Sequence, residues 1–280
     1  MTLARACCRI AARACCRIAA WSVLAGAPAV AGEPTLAPAA FRSHSHNDYA
    51  QARPLFEALD HRMGSIEADV FFIGGDLLVA HAREAVSLER TLRRLYLDPL
   101  RTRCEARGGR VYPDAATLIL LIDIKADPAA VHRELLRELQ PYAPLLTRWR
   151  DGKMIQGAIT VLLSGDRPRA AVEADSDRCM ALDGRLEELE KNPPVSLVPL
   201  VSESWGNVFS WKGAGAMPAA EQAKLRALVA KAHAQGRWLR FWAAPDSPAC
   251  WSEQFSAGVD LINTDHPALL EAFLREADRR

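Results

Sequence analysis

Five side chains have the types and spacing for proton transfer beside a metal ion: His46, Glu67, Asp69, His81 and Asp123. Glu67 and Asp69 stand two apart in SIEADVFF, so on a strand they share one face, with Ile66, Ala68 and Val70 on the other. Asp123 and Lys125 are related in the same way at the end of LILLIDIK. Neighbouring strands lie about 4.8 Å apart, so adjacent strands would crowd three carboxylates together. Two like charges about 4 Å apart repel by roughly 4 kcal/mol at an effective dielectric near 20. Lys125 offsets part of that, and a divalent cation removes the rest. An all-oxygen set suits a hard ion, Mg²⁺ or Ca²⁺.

His46 lies in SHSHNDY and His81 closes LLVAH. An imidazole can give or take a proton near neutral pH. Cleavage of a phosphodiester needs both roles, one on each side of phosphorus, and positive charge for the phosphoryl oxygens, which the ion and Lys125 would supply. His44, two residues before His46, is the alternative occupant of the first role.

The elements that must carry these residues are short β-type runs alternating with helical patterns, which implies βαβ units and a parallel sheet. The runs are Phe41–His44, Ser65–Phe71 (with Leu77–Ala80 as a hairpin arm), Leu118–Ile124, Ala158–Leu163, Cys179–Leu182, Ser196–Val201, Trp238–Ala243 and Asp260–Asn263. LILLIDI is continuously apolar up to its acid, as in a strand buried on both faces. Helices are expected over Pro54–Arg62, Ala129–Leu139, Pro218–Gln235 (stopped by Gly236) and Pro267–Ala277. The pattern predicts a single α/β domain, a (β/α)₈ TIM barrel, with an open doubly wound sheet as the alternative. Barrel sites lie at the C-terminal strand ends, where His46, Glu67, Asp69, Asp123, Trp242 and Asn263 fall. Trp242 is expected to pack there and border the site.

The chain has 280 residues, 25% of them charged, and a net charge of +1. That balance offers no electrostatic footprint for nucleic acid. Residues 4–11, ARACCRIA, recur at 12–19, and the arginines there precede a short apolar stretch ending in Ala29-Val30-Ala31. This reads as a signal peptide over 1–31, cut near Ala31, with export to the periplasm or beyond. Residues 32–280 then form one barrel, which takes about 250 residues. Cys104, Cys179 and Cys250 remain in it, without metal-binding spacing.

The stretch SHSHNDYAQARPLFEALDHRMGSIEADVFFIGGDLLVAHA, followed by TLRRLYLDPL, resembles the glycerophosphodiester phosphodiesterase-like superfamily, and within it a branch that opens with HSHNDY and continues with SIEADV. The resemblance implies a TIM barrel with His46 and His81 as catalytic residues and Glu67, Asp69 and Asp123 as metal ligands. Asp123, Lys125, Trp242, Asn263 and the short interval from His81 to Asp123 look like the sphingomyelinase D/phospholipase D toxins of that superfamily. The resemblance is strong over 43–125 and thin beyond. It implies a phosphoric diester hydrolase acting on glycerophosphodiesters or phospholipid headgroups, with Asn47, Lys125, Trp242 and Asn263 as substrate contacts. The expected partners are that substrate and a transient membrane surface, with the chain acting as a monomer.

Two other functions remain open on the sequence. One is a barrel that binds without turnover; the other is a metal-independent lyase like phosphatidylinositol phospholipase C. A serine hydrolase is disfavoured, because no G-x-S-x-G elbow is present. The segment from Ser204-Trp205 to Trp211-Lys212-Gly213 is either a lid or a covered barrel rim.

Overall fold

The computed structural model describes residues 42–114, 117–151 and 153–279. The proposed signal segment and its boundary at residue 32 lie outside them. Eight parallel strands close into a barrel with helices between them: Ser43–Ser45, Ser65–Ile73, Leu118–Ile124, Ile159–Gly165, Met180–Gly184, Leu200–Ser204, Trp238–Trp242 and Leu261–Thr264. Closure is made by the first strand, which pairs with the eighth through His44 and Asn263 and with the second through His44 and Ser65. The arm Asp76–Val79 folds back antiparallel on the second strand, through a turn at Gly74 and Gly75, both at positive φ.

Alternation along the strands sorts the apolar residues into two cores. Ile66, Ala68, Val70, Leu120, Ile122, Leu163, Leu239, Phe241 and Ile262 face the surrounding helices. Ile119, Leu121, Leu162, Ala181, Leu200 and Leu261 fill the barrel, with Trp149 beneath them from a small antiparallel sheet (Arg148–Arg150, Lys153–Ile155, Asp177–Arg178). Each fully buried Leu or Ile contributes about 1.5–3 kcal/mol. The apolar plug occupies the lower part of the lumen, so inward side chains nearer the C-terminal ends are free to be polar.

LILLIDI forms the third strand over the expected residues, and Pro267–Ala277 is helical as expected. The sixth strand is displaced: it begins at Leu200, not Ser196. Pro193 and Pro194 put the chain into a turn in which Leu197 and Val198 donate to the Pro194 carbonyl, and Pro199 has no N–H for a ladder. The helix expected over Pro54–Arg62 is shorter, Phe56–Asp60. Ahead of it, buried Asp48 accepts from the Leu55 N–H, from Ser45 Oγ at 2.9 Å and from Tyr96 Oη at 3.0 Å. Burial pushes the Asp48 carboxyl up to about 6, against those three bonds. Replacing Asp48 with alanine strands three buried donors, at about 1–3 kcal/mol for each left unsatisfied. A stability loss of at least about 2 kcal/mol is expected in denaturant unfolding; a loss below 0.5 kcal/mol, on the order of a surface change, would contradict this account of the turn.

The aromatic segment after the sixth strand is a covered rim. Trp205, Phe209 and Trp211 are buried. Trp205 packs 4.3 Å from Phe209 and edge-on to Phe241 at 5.6 Å, and its indole N–H donates to the Trp211 carbonyl. A lid would have to withdraw these rings from the core. Among the described residues Cys104, Cys179 and Cys250 are free thiols, and no helix is long and apolar enough to cross a membrane.

Candidate active site at the barrel mouth

Strand register places the acids. Asp69 stands opposite Asp123 between the second and third strands, and Glu67 lies one inward position deeper. Glu67, Asp69 and Asp123 each offer an oxygen within 4.8 Å of the others, close to the span across a cation with Ca–O distances of about 2.4 Å. Lys125 Nζ reaches Asp69 Oδ2 at 2.8 Å and Asp123 Oδ1 at 3.1 Å. Asp69 Oδ2 also accepts from Tyr49 Oη at 2.6 Å and meets His81 Nδ1 at 3.1 Å. Its other oxygen, Oδ1, is buried without a partner. An orphaned carboxylate oxygen among two more acids fits a hard divalent ion, since such an acceptor is costly unless paired.

Electrostatics divides the three acids. Burial, then the charge of Glu67, pushes Asp69 up to about 6. Asp123 is also raised, chiefly by burial. Glu67 is held well below the usual carboxylate range: burial opposes this, but the bond from His44 and the charge of Arg240 outweigh it. Lys125 is raised, because Asp123 and Asp69 outweigh its burial.

His46 and His81 flank the acids on separate supports. His46 Nδ1 binds Asp265 Oδ1 at 2.8 Å, and Asn47 Nδ2 lies 3.1 Å from the same nitrogen. Burial would lower its pKa, but Asp265 and the charge of Glu67 raise it. His81, with 72% of its side chain exposed, is held through Nδ1 by Asp69 and by Tyr49 Oη at 3.3 Å. Asn47 has a left-handed backbone, φ 46°, which turns the chain out of the first strand, and its side-chain oxygen competes with Asp69 for the one hydrogen of the Tyr49 hydroxyl. His44, the alternative to His46, is buried inside the barrel and its pKa is lowered to about 3 by burial and then Arg240. Asn263 is buried and accepts from Arg240 at 3.3 Å. Trp242 is not the packing residue expected: it ends its strand 36% exposed at the rim.

Arg240, Tyr49, Ser65 and Asp265 are site neighbours that reading the sequence passed over as such. Arg240 had a signal, since it alternates with Leu239 and Phe241 and so points into the barrel. Tyr49 and Asp265 stand just past the ends of the first and eighth strands, where polar residues were expected to gather, but nothing in the spacing tied them to His81 or His46.

Gly165 ends the fourth strand at φ 67°, and a Cβ there would collide with Asp123 Oδ1 and the Ile124 carbonyl. Replacing Gly165 with alanine is expected to cost about 1–2 kcal/mol for the left-handed backbone and to push Asp123 from its place. Activity then falls more than stability; equal activity at saturating cation would count against Asp123 as a site residue.

The fold and this acid–histidine mouth are those of a phosphodiesterase-type barrel. The pattern described as the AIM6-like phosphodiesterase domain matches residues 36–183, and that of the glycerophosphoryl diester phosphodiesterase family matches 239–268. The chain belongs to the AIM6-like phosphodiesterase domain family. Among its relatives, "Altered inheritance of mitochondria protein 6 homolog" of Arthroderma benhamiae is 29% identical, over 79% of this chain and 80% of that protein. "Altered inheritance of mitochondria protein 6" of Lachancea thermotolerans is 30% identical over 79% of this chain and 63% of its own length. The Saccharomyces cerevisiae protein of that name is 30% identical over 80% and 68%. Two solved structures share the fold. A glycerophosphodiester phosphodiesterase from Parabacteroides distasonis has TM-score 0.50 and 12% identity, over 86% of this chain and 99% of its own. A "putative glycerophosphoryl diester phosphodiesterase" from Silicibacter pomeroyi has TM-score 0.51 and 16% identity, over 84% and 93%.

These relatives correct one expectation. Export after cleavage near Ala31 does not agree with homologues named for the inheritance of mitochondria. Arginines, a short apolar stretch and small residues make a signal-like pattern, but the pattern is weakly specific.

Proposed function

We propose that the chain hydrolyses phosphodiesters at the barrel mouth, with glycerophosphodiesters or phospholipid headgroups as the substrate class. The observation that carries this reading is the gathering of Glu67, Asp69 and Asp123 in one place, with two imidazoles beside them on separate carboxylates. His46, its Nδ1 engaged by Asp265 and its pKa raised, is suited to protonate the leaving oxygen through Nε2. His81, held through Nδ1, is suited to take the proton of an attacking water or substrate hydroxyl. Lys125, Asn47 and the open Trp242 would face the substrate, while Asn263 acts through Arg240. When bound by Glu67, Asp69 and Asp123, Mg²⁺ or Ca²⁺ would neutralise charge on the phosphoryl oxygens.

The test is a panel of glycerophosphodiesters, lysophospholipids and sphingomyelin, assayed with Mg²⁺, with Ca²⁺ and with EDTA. Turnover that EDTA abolishes and the cation restores is expected. No turnover on any member, with cation bound, would leave a binding barrel instead. One observation favours a second reading: Lys125 already bridges Asp69 and Asp123, as an internal cation would. Turnover that survives EDTA and yields a cyclic phosphate, seen by phosphorus NMR, would establish that metal-independent lyase.

A pH dependence follows from Asp69. With its pKa pushed up to about 6 in the cation-free protein, a proton competes with the ion below that pH. Apparent affinity is expected to be flat above pH 7 and to fall about tenfold per pH unit below 6. Calorimetric Mn²⁺ titrations at several pH values check this, and an affinity unchanged between pH 5 and 7 would refute it.

A further inference from the structure

Behind Asp69 and Asp123, Glu67 is embedded in a buried polar cluster whose other members take no direct part in the proposed proton transfers. His44, Glu67 and Arg240 are 0%, 5% and 3% exposed. His44 Nε2 lies 2.8 Å from Glu67 Oε2, and His44 Nδ1 lies 2.8 Å from Ser65 Oγ. Arg240 Nη1 reaches Glu67 Oε2 and Asn263 Oδ1, each at 3.3 Å, and Arg240 Nε reaches Ser202 Oγ at 3.2 Å. Nη1 also abuts His44 Nε2. His44 of the first strand and Arg240 of the seventh thus meet on one carboxylate oxygen, and Ser65, Ser202 and Asn263 of the second, sixth and eighth strands hold those two in turn.

The hydrogen assignment is constrained. A carboxylate only accepts. His44 Nε2 must therefore carry the hydrogen that meets Glu67, and Nδ1 accepts from the Ser65 hydroxyl. The two hydrogens on Arg240 Nη1 then go to Glu67 and Asn263, the one on Nε goes to Ser202, and the contact of Nη1 with His44 Nε2 sets two donors side by side, both turned to the Glu67 oxygen. Every donor aimed at Glu67 is itself tied to a different strand, so the carboxylate cannot turn without breaking a bond to the barrel wall.

We infer that His44 and Arg240 are positioning residues for a cation site: together they clamp Glu67 Oε2 and thereby orient its carboxylate toward Asp69 and Asp123. This rests on the reading of Glu67 as a cation ligand. The division of labour is geometric. His44 enters from the first strand and fixes the oxygen in one direction. Arg240 enters from the seventh and fixes it in another, while its charge compensates a buried carboxylate. Loss of an outer partner of a metal ligand typically costs about 10–100-fold in affinity.

The test titrates Mn²⁺ into the full chain and its variants by calorimetry, with no substrate present, and follows folding by circular dichroism. Arg240→Met and His44→Gln are each expected to weaken Mn²⁺ binding about 10–100-fold. Arg240→Lys should recover part of the loss, because an ammonium keeps the charge without the guanidinium fork. Ser202→Ala keeps every charge, removes only the acceptor for Arg240 Nε and should weaken binding to a smaller extent. In turnover assays, excess cation should restore kcat in the variants while KM for substrate stays as in the wild type, which a merely structural role would not produce. Mn²⁺ affinities within twofold of wild type in folded Arg240→Met and His44→Gln overturn the inference. Where those two fail to fold, an unchanged affinity in Ser202→Ala and Arg240→Lys overturns it. A wild-type chain that binds no Mn²⁺ overturns it too, whatever its turnover. A wild type that binds Mn²⁺ without hydrolysing any phosphodiester defeats the functional reading alone, and the affinities still decide this one.

Discussion

Replacing His46 with alanine is expected to lower kcat on a phosphodiester by about 10²–10⁴-fold, the range for loss of a positioned general acid. Mn²⁺ affinity and the melting temperature should change little. The side chain of His46 is about a quarter exposed and bonds to Asp265, itself 54% exposed, so its removal leaves no buried partner stranded. His46 is also not among the clustered acids. The direction of the pH profile follows from Asp265. Because His46 is raised above its usual value, it holds its proton to higher pH and loses it as pH rises through that value. Asp265→Asn should therefore shift the basic limb of the kcat profile to lower pH. A kcat within about threefold of wild type in His46→Ala, with fold and ion binding intact, would remove His46 from the chemistry and return attention to His81 alone.

Asp123→Asn is expected to have opposite effects on function and on the cation-free fold. It takes one of three carboxylates from the cluster, and the loss of Mn²⁺ affinity should exceed the roughly 10–100-fold that an outer partner costs. Turnover at physiological cation should fall with it. In EDTA the same variant should melt no lower than wild type at pH 7, and higher if repulsion among the acids dominates. The sign follows from the raised pKa: ionising Asp123 in the folded chain is harder than in the unfolded chain, chiefly because the group is buried, so its charge at pH 7 opposes folding. Asn removes that penalty, although Lys125 loses one of its two partners. Added cation should raise the melting temperature of wild type and not of the variant. A variant that keeps wild-type cation affinity, or that melts far lower than wild type in EDTA, would show that Asp123 serves the barrel wall rather than an ion.

Much of the barrel is legible from one periodicity. LILLIDI, IEADV and WLRFW alternate or run apolar in the way their strands later sit, because a side chain on a strand has only two directions. Boundaries are less legible where prolines interrupt the run, as at Pro193-Pro194 and Pro199, since a local turn competes there with strand pairing. The aromatic segment at Trp205–Trp211 could not be sorted into lid or rim by composition. Its exposure depends on Phe241, a residue of the next barrel strand, against which Trp205 packs.

By itself the sequence determined which side chains share a face: Glu67 with Asp69, Asp123 with Lys125. It therefore determined that acids and imidazoles would gather at strand ends, because strand geometry is local and repeats every two residues. Only the tertiary structure decided how deep each lies and what it touches. His44 and His46 are two residues apart, yet one is buried against Glu67 and Arg240 while the other, just past the strand end, rests on Asp265 at the mouth. Depth in a barrel is set by strand stagger and closure, and closure joins residues nearly 200 positions apart, as it does His44 and Arg240. No local rule carries that information.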